Sequence, residues 1–253
     1  MFLKLKGAHI NPLNILVVLG FSLSFFTNGV NAQQSVNANH HLDSKQQSII
    51  AIAALTAKGD LDKLKPALNT GVDVGLTINE IKEIMIHLYA YCGFPRSIRG
   101  LQTFMEVLDE RKSKGIVDSI GKDASPIKQE TTKYERGKMI LGELTETPQL
   151  TIPSGYSAFA PTIDTFLKEH LFADIFERDV LTYAQRELVT ISVISSIGNA
   201  NPMLQSHLII SLNVGITPEQ LQEFTGIIQS TIGEKEAKAA RAVLNEVLKR
   251  KNN

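Results

Sequence analysis

The sequence predicts an all-α protein in which one helical module is used twice. Three observations carry that reading: the chain repeats itself, its apolar residues recur at helical spacing, and no segment alternates apolar and polar residues as a strand would. Residues 49–59 (IIAIAALTAKG) match residues 188–198 (LVTISVISSIG) at an offset of 139. After a one-residue step the offset is 140, pairing Val74, Gly75, Thr77 and Glu83 with Val214, Gly215, Thr217 and Glu223, and Glu106-Val107-Leu108 with Glu246-Val247-Leu248. Two copies in one chain resemble a covalent dimer. They are expected to pack as a pseudo-two-fold pair, in which one copy can keep the chemistry while the other decays or supplies the opposite wall of a shared pocket.

The elements follow in order. Lys4 and Lys6 precede an apolar run over residues 15–26, and Val30-Asn31-Ala32 offers small residues for cleavage before Gln33, so residues 1–32 read as a secretory signal peptide. The run is short against the roughly 20 apolar residues that span a bilayer. A secreted or periplasmic chain is expected, with no membrane attachment after cleavage. Residues 33–41 are polar and read as a flexible arm. Copy one then covers residues 42–113, a linker with one helix near 132–144 covers 114–159, and copy two covers 160–253.

Each copy opens at a cap. Asp43 with Gln46 and Thr182 with Gln185 stand in the relation of N-cap to third helical residue, ahead of central helices at 44–58 and 183–197 that are apolar on most faces. A weaker helix follows at 61–68 and at 202–212. After Gly-x-Thr turns at Gly75 and Gly215, Thr77 and Thr217 cap a third helix, with Pro218 at the favoured first position in copy two. In copy one this helix, 78–91, aligns Ile81, Ile84, Met85 and Leu88; Gly93 ends it, and Pro95 starts a fourth that runs to about Lys112. Residues 160–176 carry an amphipathic helix marked by Ile163, Phe166, Leu167 and His170.

Charge and cysteine content exclude several classes. The chain has 26 basic and 26 acidic residues, and loss of the leader leaves 24 against 26, a balance that does not steer toward nucleic acid. Cys92 is the only cysteine, so no intramolecular disulfide forms, and no Cys/His spacing suits a structural zinc ion.

Residues 87–95 (HLYAYCGFP) and 185–192 (QRELVTIS), with Gln205-Ser206-His207 and residues 213–217 (NVGIT) behind them, resemble the carboxymuconolactone decarboxylase family, which shares the fold of alkylhydroperoxidase D. The resemblance covers roughly residues 42–112 and 160–249. It implies all-helical modules, assembly as a homo-oligomer (a trimer of tandem chains), a small-molecule substrate, and neither metal nor organic cofactor. The peroxidase branch of the family carries Glu followed by Cys-x-x-Cys-x-x-x-His. Anchored on His207, that pattern puts its thiols at Ala200 and Met203 and its glutamate at Glu187, so the acid/base pair stays while both thiols are gone. Copy one has Ser48 in place of Glu187 and Ala67 in place of His207, yet it keeps His87, whose counterpart is Ile227. The copies complement each other, which points to one composite site per chain.

The resemblance makes His207, Glu187 and His87 the candidate catalytic residues. Loss of CO2 from a carboxylactone, or a proton shift beside a carbonyl, creates an enolate that needs hydrogen-bond donors and an acid. His207 would move the proton, and Glu187, desolvated by Leu188, Val189 and Ile191, would hold the imidazole tautomer or relay a proton. Arg186 and His87 would bind a substrate carboxylate, with Tyr91 as a further donor. Plainer roles compete: His207 shares a face with Met203, Leu204 and Leu208 as a core histidine does, His87 stands one turn after Glu83, a helix N-terminus tolerates Glu187 through its dipole, and Arg186 can simply partner a carboxylate. Two other functions remain open: a thiol peroxidase acting through Cys92 alone, and a secreted binding protein without activity. Against the first, Cys92 ends a helix, where the dipole disfavours a thiolate.

Overall fold

The computed structural model describes residues 40–127, 130–149 and 153–251. The predicted signal peptide and residues 33–39 of the predicted arm lie outside the described residues. Among the described residues every regular element is helical: α1 (Ser44–Lys58), α2 (Leu61–Asp73), α3 (Ile78–Ser113), α4 (Lys133–Thr145), α5 (Tyr156–Phe159), α6 (Pro161–Phe166), a π-helix (Leu167–Phe176), α7 (Tyr183–Ile197), α8 (Asn201–Asn213), α9 (Pro218–Thr231) and α10 (Glu234–Lys251).

The repeat is kept residue for residue. Both ends of α1 map onto both ends of α7 at the offset of 139, and both ends of α2 onto both ends of α8 at 140. Asp43, Thr77, Thr182 and Thr217 each accept from the third backbone N–H of their helix, while Gln46, Glu80, Gln185 and Gln220 accept back from the cap. Each such cap contributes about 1 kcal/mol. Gly93 and Gly233 are equivalent at the offset of 140, and both sit at positive φ, 80° and 130°. In copy one the chain resumes as helix at once, so α3 is two helical segments that meet at a kink at Gly93, as the sequence predicts, with Pro95 in the first turn of the second. In copy two the same position separates α9 from α10.

Two expectations need correction. The second helix of copy one runs to Asp73 rather than stopping at Leu68, because Gly71 is a contact residue and not a stop: a Cβ there would lie 2.8 Å from Ile52 Cδ1. The single amphipathic helix expected over 160–176 is instead α6 followed by ten residues of π-helix, which closes with the Glu177 N–H donating to the Phe172 carbonyl, 3.1 Å away and five residues back.

The two copies pack through their central helices. α1 lies against α7, and the flanking contacts are reciprocal, α3 on α7 and α9 on α1, as a pseudo-two-fold requires. Side chains repeat the symmetry: Arg186 Nη2 donates to Glu83 Oε1 at 2.8 Å, and the equivalent Gln47 Nε2 donates to Glu223 Oε1 at 3.2 Å. One continuous apolar core runs through both copies, with Ile49, Ile52, Leu188 and Ile191 among its fully buried members. A second cluster joins α4, the π-helix and α8 through Ile140, Leu144, Phe172, Phe176 and Ile210. At Gly137 α4 comes so close to the π-helix that a Cβ would lie 1.8 Å from the Lys168 carbonyl oxygen.

Candidate active site

Helix α7 runs through the centre of the molecule, yet it carries Arg186, Glu187 and Thr190, none of them exposed. Buried charge is tolerated only when paired, and the pairing divides these residues between two linked groups. In the first, Arg186 donates to Glu83 and to the Arg178 carbonyl, and Arg178 closes a bidentate pair on Glu83 at 2.9–3.1 Å. Burial holds the Arg186 guanidinium below its ordinary pKa, opposed by Glu83. His87 joins this group. Its Nδ1 faces Arg186 Nη1 at 3.3 Å and can only accept, so the proton sits on Nε2, which donates to Thr190 Oγ1 at 2.8 Å. Burial first, then the charge of Arg186 and the neighbouring His207, push the His87 pKa well below the usual histidine range.

The second group is His207 with Glu187. His207 Nδ1 stands 2.9 Å from Glu187 Oε2. A carboxylate accepts only, so Nδ1 donates and the lone pair is on Nε2, for which the described residues supply no hydrogen-bond partner. Glu187 Oε1 is also buried without one. The two groups meet at Tyr91: its ring centroid is 5.5 Å from that of His87 and 5.9 Å from that of His207, and its hydroxyl lies 3.2 Å from Thr190 Oγ1. Burial, reinforced by Glu187, raises the Tyr91 pKa, so the phenol stays protonated.

His207 is 14% exposed, and it is exposed into a cleft of about 840 Å³. The walls come from α3 (Tyr89, Phe94), α4 (Leu141, Thr145), α6 (Ile163, Phe166), the π-helix (Leu167, His170, Phe172) and α8 (Met203, Ser206, His207, Ile210). The lining is predominantly apolar, as in small-molecule sites generally.

The predicted residues therefore separate. His207 reaches the cleft with Glu187 behind it, whereas Tyr91, His87 and Arg186 form successive layers farther in and line no part of the cleft. The carboxylate-binding task expected of Arg186 and His87 does not match this placement: Arg186 Nη2 donates to Glu83 and the Arg178 carbonyl and Nη1 to His87, its Nε is buried without a partner and reaches no part of the cleft, and His87 is fully enclosed. Cys92 is half-buried, donates to the Leu88 carbonyl at 3.3 Å and stays outside the cleft lining; burial pushes its thiol up to about 11 despite nearby Arg96. Glu83, Arg178 and Thr190 were not singled out as a network by the sequence, although a threonine inside a fully buried helix was a visible signal. At the position equivalent to the His207–Glu187 pair, copy one has Ala67 and Ser48, so the chain has one such pair.

A doubled all-helical module, with a histidine–carboxylate pair held between the first helix of one copy and an apolar cleft, defines the class. The carboxymuconolactone decarboxylase family model matches residues 27–104 and again 161–246, and the chain belongs to that family. It is also similar to an uncharacterised protein of Methanocaldococcus jannaschii, 29% identical over 87 residues that make up 34% of this chain and 81% of that protein.

Proposed function

We propose that this protein is a cofactor-free acid/base enzyme that moves a proton at a carbon beside a carbonyl, with His207 as the transferring residue. The supporting observation is the His207–Glu187 contact of 2.9 Å, in which a fully buried carboxylate fixes Nδ1–H and leaves the Nε2 lone pair at the edge of an apolar cleft. Glu187 stabilises the imidazolium formed when Nε2 takes a proton. Tyr91 braces the imidazole, and Thr190 and His87 hold Tyr91 from behind.

A thiol peroxidase reading has less support. Cys92 has its pKa raised to about 11, which leaves little thiolate at neutral pH, and the sequence holds no second cysteine to resolve a sulfenic acid. The test is hydrogen–deuterium exchange in D2O, followed by NMR, at the carbon beside the carbonyl of an unsaturated lactone. Exchange that depends on His207 and not on Cys92 supports the proposal; the opposite dependence overturns it.

We further propose that the chain is exported and that it self-associates. Export rests on the leader pattern, and an intact N-terminus on protein recovered from the native host refutes it. Self-association rests on Phe94, Ile98 and Met105, which stand exposed at near-helical spacing on the second half of α3. Met105→Glu should then lower the mass measured by light scattering; a wild-type monomer refutes it.

A further inference from the structure

A second histidine opens into the same cleft. His170 sits on the π-helix and lines the cleft together with His207 of α8. Its Nδ1 lies 3.2 Å from Asp174 Oδ2, one turn on, and Asp174 is itself held by Lys133 Nζ at 2.9 Å. The arrangement repeats that of His207 with Glu187: a carboxylate accepts the hydrogen bond from Nδ1–H and leaves Nε2 as the working nitrogen. The rings of Tyr89 and His170 are 5.6 Å apart edge to face, which adds a second restraint on the imidazole. A π-helix is rare, and such segments are frequent at functional sites.

The cleft has one more property. Among the described residues, none that lines it is Asp, Glu, Lys or Arg. Among the described residues, the cation placed behind the His207 side is Arg186, which is fully buried, lines no part of the cleft, and has both Nη atoms engaged by Glu83, the Arg178 carbonyl and His87. A carboxylated ligand would have to be neutralised by an imidazole, removing that imidazole from proton transfer.

We propose that His170 is a second proton-transfer residue, and that the two histidines together shift a proton along an uncharged unsaturated carbonyl compound with an apolar body. This rests on the acid/base reading of His207. Nε2 of neutral His207 takes a proton from the carbon beside the carbonyl; that C–H bond breaks and its electron pair passes into a dienolate. The imidazolium of His170 delivers a proton to the far carbon of the dienolate, where a C–H bond forms and the carbonyl is restored with its double bond conjugated. Nothing is oxidised or reduced, and the substrate mass is unchanged. The cycle ends with His207 protonated and His170 neutral, and both reset by exchange with solvent through their exposed portions, 14% and 50% of the side chains. Asp174 is a positioning residue for this step.

The experiment uses the full chain in D2O, with a neutral β,γ-unsaturated lactone bearing a phenyl group on its far ring carbon, and its para-carboxyphenyl analogue. NMR follows deuterium entry at the near carbon and at the far carbon, above the rate in buffer alone. Wild-type protein should label both carbons of the neutral lactone, and the carboxylated analogue should bind at least ten times more weakly in titration calorimetry. His170→Gln should keep near-carbon exchange and lose at least tenfold in far-carbon labelling; Asp174→Asn should reproduce that split in smaller measure, and His207→Gln should lose both. If His170→Gln labels both carbons like wild type, or loses both in equal proportion, this inference fails while the role of His207 stands. Equal or tighter binding of the carboxylated analogue overturns the uncharged substrate. Wild-type protein that labels neither carbon overturns the acid/base reading and this inference with it.

Discussion

In Glu187→Gln the side chain keeps its shape and an acceptor for His207 Nδ1, and loses its charge. The carboxylate is fully buried, 2.9 Å from Nδ1 through Oε2, with Oε1 lacking any partner. A charge-assisted hydrogen bond contributes about 1.5–3 kcal/mol and a neutral one about 0.5–1.5 kcal/mol. The imidazolium that forms during proton transfer therefore loses about 1–2 kcal/mol of stabilisation, a fall of roughly 5- to 30-fold in kcat. Folding should respond in the opposite sense. A neutral amide is less costly to bury than a carboxylate with an unpaired oxygen, so stability should hold or rise by about 1 kcal/mol, which moves Tm upward by about 2–4 °C in a chain of this size. The NMR exchange rate and thermal unfolding by circular dichroism measure the two sides. A fall in Tm of more than about 5 °C with kcat unchanged would refute the reasoning and make Glu187 a structural brace.

Glu83→Gln should behave differently, because it strands the fully buried Arg186: we expect a loss of about 3–5 kcal/mol in urea unfolding, and a loss under about 1 kcal/mol would contradict the buried network. For pH, the folded-state pKa of His87 lies well below its unfolded value of about 6.5, so the unfolded chain binds a proton that the native state does not. Its share of stability is present above pH about 6.5 and is lost as pH falls, by at most about 1.4 kcal/mol per pH unit; His87→Gln should remove that part of the slope, and parallel wild-type and variant curves between pH 7.5 and 5 would contradict it. With its pKa near 11, the Cys92 thiol should react at pH 7.5 at least tenfold more slowly than a free cysteine with a thiol-selective reagent, and Cys92→Ser should leave proton exchange unchanged.

The fold was legible because local and repeat signals agree. Asp43 and Thr182 marked the starts of α1 and α7, and Gly93 marked the bend in α3, since caps and positive φ are written in single residues. The site was legible only in part. Glu187 and His207 stood out as ionisable residues among apolar neighbours, but Arg186 and His87 look the same in sequence whether they face a cleft or a buried carboxylate; Arg178 of the connecting turn decides that through Glu83. His170 was hidden for another reason. The stripe of Ile163, Phe166, Leu167 and His170 reads as a core face, and periodicity cannot distinguish a core from the wall of a cavity. The π-helix is packed against α4 at Gly137, a contact between residues 137 and 168 with no local signature.

The most direct test of the central claim is near-carbon deuterium exchange of the neutral lactone by His207→Gln, set beside wild type and Cys92→Ser. The account predicts that His207→Gln falls at least a hundredfold toward the buffer rate, as loss of a general base does, while Cys92→Ser matches wild type and all three proteins share one helical circular dichroism spectrum. Full exchange by His207→Gln, or loss of exchange in Cys92→Ser alone, would contradict it.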